Sequence, residues 1–375
     1  MATKRRPRRP QRMLFVSPRW IDRLTLACLY ALAIGAGALF SWVGVPLPWM
    51  IGPLTLSAAV YISGAITVRV PVKTRPFGQM TIAAQVGLAF TPAALAAVVA
   101  LAPLLIGAAL VTALLAGATA VAMARMGRMP LAQAFLATFP TSPVEAAVMA
   151  EKIGCDPAPI VLSQTMRIAA VVILVPLSVY AVDGWPDRGA AMMGAAFDPL
   201  GNGFLALLAI AGALTFKKLG LANPFFLGPL AFSAAAAAAG LHPAAFPAPV
   251  LAAAQIVLGT WLGATFRRDL LLNGGRLVTT SAVGTLLLLG LVSAFALALA
   301  ALSGLRWEVL VLGLAPGGVT EMALTAKFLG VDLALVTAFQ LTRIFIFMPN
   351  IPWIIALIDR SERRWRTPRQ GPPKG

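Results

Sequence analysis

Apolar runs long enough to cross a lipid bilayer recur along the whole of this sequence. They include residues 24–43, 93–124, 160–182 and 277–302, each near or above the roughly 20 residues that a helix needs to cross the hydrocarbon core. Charged residues are 11% of the composition, whereas a soluble domain carries about 25%. The pattern predicts an all-α integral membrane protein, not a soluble enzyme or a soluble DNA-binding protein.

Basic residues are concentrated at the two ends of the chain. Eight lysines and arginines precede the first apolar run and six follow the last one. The net charge of +17 could indicate nucleic-acid binding, but this placement is typical of cytoplasmic anchors. We therefore interpret residues 1–23 and 359–375 as cytoplasmic tails of an inner-membrane protein. Contact of the tails with anionic lipid or nucleic acid is the alternative.

The sequence repeats itself without a gap. Pro48–Leu54 matches Pro224–Leu230, and the displacement from Pro48 to Pro224 holds along the whole chain. Polar residues in apolar surroundings obey the same displacement: Gln79 and Gln255, Glu145 and Glu321, Asp156 and Asp332, Gln164 and Gln340, and Arg167 and Arg343. We predict a first membrane repeat at 24–182, a linker at 183–199 and a second repeat at 200–358.

The charged turns predict that the two repeats have opposite orientations. With the first repeat starting in the cytoplasm, Arg69, Lys73 and Arg75, and later Arg125 and Arg128, fall on the cytoplasmic side. The second repeat must then start outside to bring its own basic turns to the cytoplasm. Those turns contain Lys217, Lys218, Arg267, Arg268 and Arg276. This predicts about ten crossings, five in each of two inverted repeats.

One apolar piece of each repeat is interrupted halfway. Residues 130–152 contain Pro140-Thr141-Ser142-Pro143, and residues 306–327 contain Pro316-Gly317-Gly318. Proline breaks a helix because it lacks a backbone donor. Non-helical backbone at membrane depth occurs where it is buried in protein or lines a wet cavity. We expect both pieces to be broken or re-entrant helices, and Ser142, Gly317 and Gly318 are candidate binding residues.

An acid follows each break at the start of the next helix. Glu145 and Glu321 could simply cap that helix. They could also take part in a binding site, because an acid at membrane depth is a functional candidate. We include both among the candidate substrate or ion ligands.

Two arginines lie deep in the predicted membrane. Asp156 and Asp332 resemble helix caps, so Arg167 and Arg343 follow about 15 Å later, near the middle of a core of roughly 30 Å. Gln164 and Gln340 precede them on the same helical face. Each arginine could pair with a glutamate and lock the fold, or the four residues could bind a polar substrate or ion.

Metal and cofactor chemistry is not indicated. His242 is the single histidine, and Cys28 and Cys155 are far apart in sequence. Clustered His and Cys ligands and a Ser-His-Asp or carboxylate-rich catalytic cluster are lacking. We expect no metal, no cofactor and no enzymatic activity.

The chain resembles the duplicated AbrB-like membrane family. The residues that carry the resemblance are Pro48–Leu54, Gln79 with the run to Phe90, residues 316–322 (Pro-Gly-Gly-Val-Thr-Glu-Met) and residues 340–343 (Gln-Leu-Thr-Arg). The first repeat departs from it at Thr141-Ser142-Pro143, so its site need not be equivalent. The family's labels, AbrB transcriptional regulator and ammonia monooxygenase, imply gene regulation or an oxygenase, and these residues support neither.

Two functions follow from these features. The first is a secondary transporter of a small, anionic metabolite, because inverted-repeat carriers bind substrates beside broken helices at the midplane. The second is a membrane-embedded regulator that acts through a partner at its cytoplasmic tails. The expected partners are the bilayer and a small molecule or ion, without direct nucleic-acid binding; homo-oligomerisation is left open.

Overall fold

The computed structural model describes residues 19–141, 143–184, 197–221, 223–266 and 268–366. These residues form α-helices and one short 3₁₀-helix (Val72–Thr74), without a β-strand among them. The helices of the first repeat are α1 (Arg19–Val43), α2 (Pro48–Ser63), α3 (Arg75–Gly87), α4 (Pro92–Ala100), α5 (Ala102–Gly127), α6 (Leu131–Thr138), α7 (Pro143–Lys152) and α8 (Pro157–Asp183). The helices of the second repeat are α9 (Pro199–Lys218), α10 (Pro224–Ala238), α11 (Ala248–Gly263), α12 (Arg268–Asn273), α13 (Gly275–Ser303), α14 (Trp307–Leu314), α15 (Val319–Leu329) and α16 (Leu333–Arg366).

The helices repeat with the displacement that the sequence predicts. The starts of α2 and α10, α6 and α14, α7 and α15, and α8 and α16 are all separated by the interval from Pro48 to Pro224. The breaks repeat as well, because residues 139–142 separate α6 from α7 and residues 315–318 separate α14 from α15. The predicted duplication and both predicted breaks are confirmed.

Six helices are long and apolar enough to cross a membrane, three in each repeat: Trp20–Val43, Ala102–Gly127, Pro157–Val182, Pro199–Lys218, Gly275–Ser303 and Leu333–Ile358. Residues 72–87 and 92–100 form a further apolar pair that bends by 88° at its break. Helices α10 and α11 are apolar but shorter. The described residues thus form an all-helical, membrane-type fold.

The helices pack as two bundles, and each bundle contains both repeats. The first bundle consists of α1–α3 and α9–α11, in which α2 packs on α11 and α3 packs on α10. The second consists of α5–α8 and α13–α16, in which α5 packs on α13. Helix α8 joins their cores, since Val172 is buried against the first bundle and Val171 against the second.

Glycines form matching contacts in the first bundle. A Cβ at Gly263 of α11 would lie 2.5 Å from the Leu54 carbonyl oxygen on α2. A Cβ at Gly87 of α3 would lie 2.7 Å from the Leu230 carbonyl oxygen on α10. Each contact joins the repeat counterparts of the residues in the other contact, so the two repeats make matching contacts. A Cβ at Gly78 of α3 would lie 2.8 Å from the carbonyl oxygen of Ala254, the counterpart of Gly78.

Helix α5 runs antiparallel to its counterpart α13. Gly127, at the end of α5, lies beside Thr280 near the start of α13, and Met123 lies beside Gly284 further along. The contacts therefore advance in opposite directions along the two helices.

Candidate functional site

Arg167 and Gln164 of α8 form hydrogen bonds with backbone carbonyls at the C-terminal end of α6. The Nη1 atom of Arg167 donates to the carbonyl oxygens of Thr138 (2.7 Å) and Phe139 (3.2 Å). Gln164 Nε2 donates to the carbonyl oxygens of Leu136 (2.6 Å) and Phe139 (2.9 Å). Arg167 Nη2 donates to Gln164 Oε1 at 2.6 Å, as their spacing on one helical face predicts. The pair therefore satisfies carbonyls that the break leaves without helical partners.

Arg343 and Gln340 of α16 repeat this arrangement at the end of α14. Arg343 donates to the carbonyl oxygens of Ala315 (2.6 Å), Gly317 (3.1 Å) and Leu314 (3.3 Å). Gln340 Nε2 donates to the carbonyl oxygens of Leu312 (2.7 Å) and Ala315 (3.2 Å), and Gln340 Oε1 accepts from Arg343 Nη2 at 2.5 Å. Both broken segments are thus held by the same two residue types.

The arginines stabilise the breaks through carbonyl oxygens rather than through glutamates. Within the described part of the chain, neither Arg167 nor Arg343 forms an ion pair with a carboxylate. A guanidinium at a helix C-terminus also interacts favourably with the negative end of the helix dipole. The Nε atom of each arginine is buried and makes no hydrogen bond within the described residues. These hydrogen bonds support a role for the arginines in holding the fold together. Their partners are backbone carbonyls, whereas the sequence suggested glutamates.

The two aspartates cap the helices that carry the arginines. Asp156 Oδ1 accepts from the backbone N–H of Ala158 at 3.0 Å, and Asp332 Oδ1 accepts from that of Leu335 at 3.0 Å. These caps are confirmed. They fix where α8 and α16 begin and hence the depth at which each arginine meets its break.

Glu321 lies in the first turn of α15, beside the second break. Its carboxylate lies directly over Gly318, where it would collide with any Cβ. This position matches that of a capping acid at a helix start. Glu145 occupies the matching place in α7, but its side chain and the whole of Ser142 lie outside the described residues.

A cavity of about 380 Å³ lies where the two bundles meet. It is lined by Pro140 and Thr141 of the first break, by Gly317, Gly318 and Glu321 of the second, and by both arginines. The structure therefore brings most of the predicted site residues to one place, because the two candidate glutamines are each bonded to one of these arginines. The volume of the cavity falls in the range of small-molecule sites.

The first bundle adds residues that the sequence did not identify as part of a site. Gln79 of α3 lines the cavity with only 8% of its surface exposed. Arg75, at the start of α3, stacks over Trp261 of α11 with 4.4 Å between the guanidinium carbon and the ring centroid, and both line the cavity. In the sequence, Gln79 was recognised as the repeat counterpart of Gln255, and Arg75 only as part of a predicted cytoplasmic turn. Their approach to the breaks depends on long-range packing that no local pattern encodes.

The described residues of the cavity lining carry a net positive charge. Among them the charged residues are Arg75, Arg167, Arg343 and Glu321, that is, three guanidinium groups and one carboxylate. The N–H groups at the start of α15 add positive potential, which the Glu321 carboxylate over Gly318 partly offsets. The lining therefore favours an anion over a cation.

Comparison with known proteins agrees with this duplicated architecture. A sequence profile described as "Transition state regulatory protein AbrB" matches residues 3–182 and, a second time, residues 65–359. The chain belongs to the AbrB family. This AbrB-family chain is also similar to the "Uncharacterized protein YhjN" of Bacillus subtilis (strain 168), with 25% identity over 357 residues, 88% of this chain and 93% of that protein.

The AbrB family assignment covers both repeats and hence both arginine–glutamine pairs. The family description names a regulatory protein, while the name of the Bacillus subtilis relative assigns no activity. Neither description specifies a substrate or a reaction for this AbrB-family protein.

Proposed function

We propose that this protein is a secondary transporter of a small organic anion, and that the cavity between the two bundles is its substrate site. The observation that carries the proposal is that both broken segments, from opposite repeats, line one positively charged cavity. Inverted-repeat carriers bind their substrates at the repeat interface beside broken helices. Anionic groups interact strongly with arginine and with free N–H groups at helix starts.

The transporter would cross the membrane ten times with inverted repeats. The five crossings of the first repeat would be α1, α2, α3, α5 and α8. Those of the second repeat would be their counterparts α9, α10, α11, α13 and α16. The antiparallel contact of α5 with α13 supports inversion. So does the direction of α2 and α11: Gly259 and Gly263 of α11 touch Met50 and Leu54 of α2 in the same order, so the two helices are parallel.

Two long-range contacts agree with the predicted cytoplasmic side. The Nη1 atom of Arg268 donates to the carbonyl oxygen of Ser63 at 2.9 Å, which joins two turns that basic residues assign to the cytoplasm. Glu362, in the C-terminal extension of α16, accepts from the backbone N–H of Leu131 at 2.7 Å, just after Arg128. These contacts support a shared cytoplasmic location for the C-terminus and the entrance of the first broken segment.

Flux measurements on the purified full-length chain in proteoliposomes test the proposal. A panel of radiolabelled mono-, di- and tricarboxylates would be offered under proton, sodium and potassium gradients. We expect saturable uptake of at least one of them. Arg75→Gln should reduce it because it removes a charge from the cavity, whereas Arg276→Gln, outside the cavity but on the same predicted side, should not. Absence of saturable flux under every gradient would contradict transport.

A membrane-embedded regulator is the second candidate, favoured by the family description. Such a protein would act through a partner that binds its basic tails. Deletion of residues 2–18 together with truncation after Arg366 distinguishes the two functions without removing Glu362, which caps α6. Loss of a transcriptional response with intact flux would favour regulation through the tails, whereas an unchanged response would favour transport alone.

A further inference from the structure

Gln79 has unused hydrogen-bonding capacity beside the charged lining of the cavity. Its side chain is 8% exposed and makes no hydrogen bond within the described part of the chain. Its amide atoms keep some accessible surface, which places them at the wall of the cavity rather than in the packed interior. Because Gln79 lines the cavity, a ligand in that cavity can supply the missing partner.

The arginines are less available to a ligand than Gln79. The terminal nitrogens of Arg167 and Arg343 already donate to backbone carbonyls and to Gln164 and Gln340. They supply charge to the cavity and hold the breaks in place. Gln79, by contrast, has amide N–H donors that make no hydrogen bond within the described residues, and a carboxylate oxygen is a suitable acceptor for them.

The repeat counterpart of Gln79 is also a glutamine whose side chain lacks hydrogen bonds within the described residues, but it lies away from the cavity. Gln255 of α11 is 2% exposed and its side chain makes no hydrogen bond within the described residues, so its Nε2 donors are uncommitted and its Oε1 atom is buried without a partner. It does not line the cavity. Gly78 and Ala254, which precede the two glutamines, are repeat counterparts that touch each other. The two glutamines therefore occupy equivalent positions on either side of this contact.

We propose that Gln79 binds a carboxylate of the transported anion in the observed cavity, and that Gln255 replaces it when the cavity opens to the opposite side. The inference rests on the proposed transport function. If the repeats exchange conformations, every cavity residue is exchanged for its counterpart in the other repeat, and Gln255 takes the place of Gln79. The Nε2 donors of Gln255, which make no hydrogen bond within the described residues, then donate to the carboxylate in the second state.

The exchange also predicts which side reaches each glutamine. The observed cavity includes Arg75 and Asn223, which lie at turns assigned to the cytoplasm. Gln79 should therefore be reached from the cytoplasm and Gln255 from the opposite side.

Side-specific thiol labelling tests this without a known substrate. Full-length variants carrying Gln79→Cys or Gln255→Cys, with Cys28→Ser and Cys155→Ser, would be treated with a membrane-impermeant maleimide in inside-out and in right-side-out vesicles. Matched controls are Ala83→Cys and Ala254→Cys on the same two helices, because both positions are fully buried and belong to neither cavity. Labelling in denaturant and size-exclusion profiles confirm that each thiol is present and each variant folded.

We expect the thiol at position 79 to react in inside-out vesicles, the thiol at position 255 to react in right-side-out vesicles, and the controls to react in neither. Failure of position 255 to react from either side, or its reaction from the cytoplasmic side, would overturn the exchange. Gln79→Leu and Gln255→Leu should each lower carboxylate flux about tenfold or more, the loss expected for one hydrogen bond to a charged group. Unchanged flux in Gln79→Leu would overturn ligand binding by Gln79, whereas absence of flux in the unmodified protein would contradict transport itself.

Discussion

At Arg343, one guanidinium serves three backbone carbonyl oxygens and a glutamine side chain. Arg167 forms the corresponding hydrogen bonds with two carbonyl oxygens, those of Thr138 and Phe139. The sequence predicted that these arginines would be deep, and that Gln164 and Gln340 would share their helical faces. It could not predict their partners, because the carbonyls belong to segments far from the arginines in the chain and reach them only through tertiary packing.

Arg343→Leu should destabilise the protein strongly. The substitution leaves the carbonyls of Leu314, Ala315 and Gly317 without this donor, and hydrogen bonds to charged groups contribute about 1.5–3 kcal/mol each. We expect a loss of at least about 3 kcal/mol on this basis, measured by thermal unfolding in detergent with tryptophan fluorescence. Arg343→Lys should be intermediate, because an ammonium group cannot reproduce the planar fork. Equal melting temperatures for all three proteins would refute the stabilising role.

Gln79→Leu should behave in the opposite way. Its side chain makes no hydrogen bond within the described residues, so its removal should change stability by less than about 1 kcal/mol while carboxylate flux falls. The matched variant Gln85→Leu removes the acceptor for the Phe246 N–H at 2.8 Å, so it should lower the melting temperature. Similar melting curves for the two variants would contradict this difference in roles.

At the scale of elements, the broken segments were the most predictable part of the fold. Pro140 and Pro316 interrupt apolar runs, and the structure breaks the helices at those points. The division into two bundles was not predictable, because apolar periodicity identifies a buried face without naming its partner. The contact between Glu362 and Leu131 joins the last turns of α16 to the start of α6 and has no local sequence signal.

Two glycine-to-alanine substitutions should have different effects on stability, depending on whether the glycine lies at a helix contact. In Gly263→Ala, the new Cβ would meet the Leu54 carbonyl oxygen at 2.5 Å and the Ala58 nitrogen at 2.8 Å. Both are backbone atoms, so the helices must separate, which costs about 1–3 kcal/mol. Gly107→Ala, inside α5 with nothing within 4 Å, should be neutral or stabilising because alanine favours helix. Melting temperatures compare the two, and equal shifts would refute the close crossing.

At the scale of the whole molecule, the cavity lies between bundles that each contain both repeats. Relative movement of the bundles would change the walls of the cavity, since Gln79 and Trp261 come from one bundle and Gly317 and Glu321 from the other. The arginine–glutamine pairs would move with the second bundle, because α6, α8, α14 and α16 all belong to it. The breaks could thus remain intact while access to the cavity changes.

Membrane topology is the whole-molecule prediction on which this mechanism depends. We expect both termini and the turn at Lys217 and Lys218 to lie in the cytoplasm, and the segments 183–199 and 241–249 to lie outside. Single cysteines at Lys218 and Leu241, in a chain with Cys28→Ser and Cys155→Ser, would be labelled with an impermeant maleimide from each side. A parallel repeat would place Lys217, Lys218, Arg268 and Arg276 outside, against the preference of basic residues for the cytoplasm. Labelling of position 218 from outside would therefore overturn inversion, and with it the exchange of Gln79 for Gln255, because only inverted repeats present equivalent residues to opposite sides of the membrane.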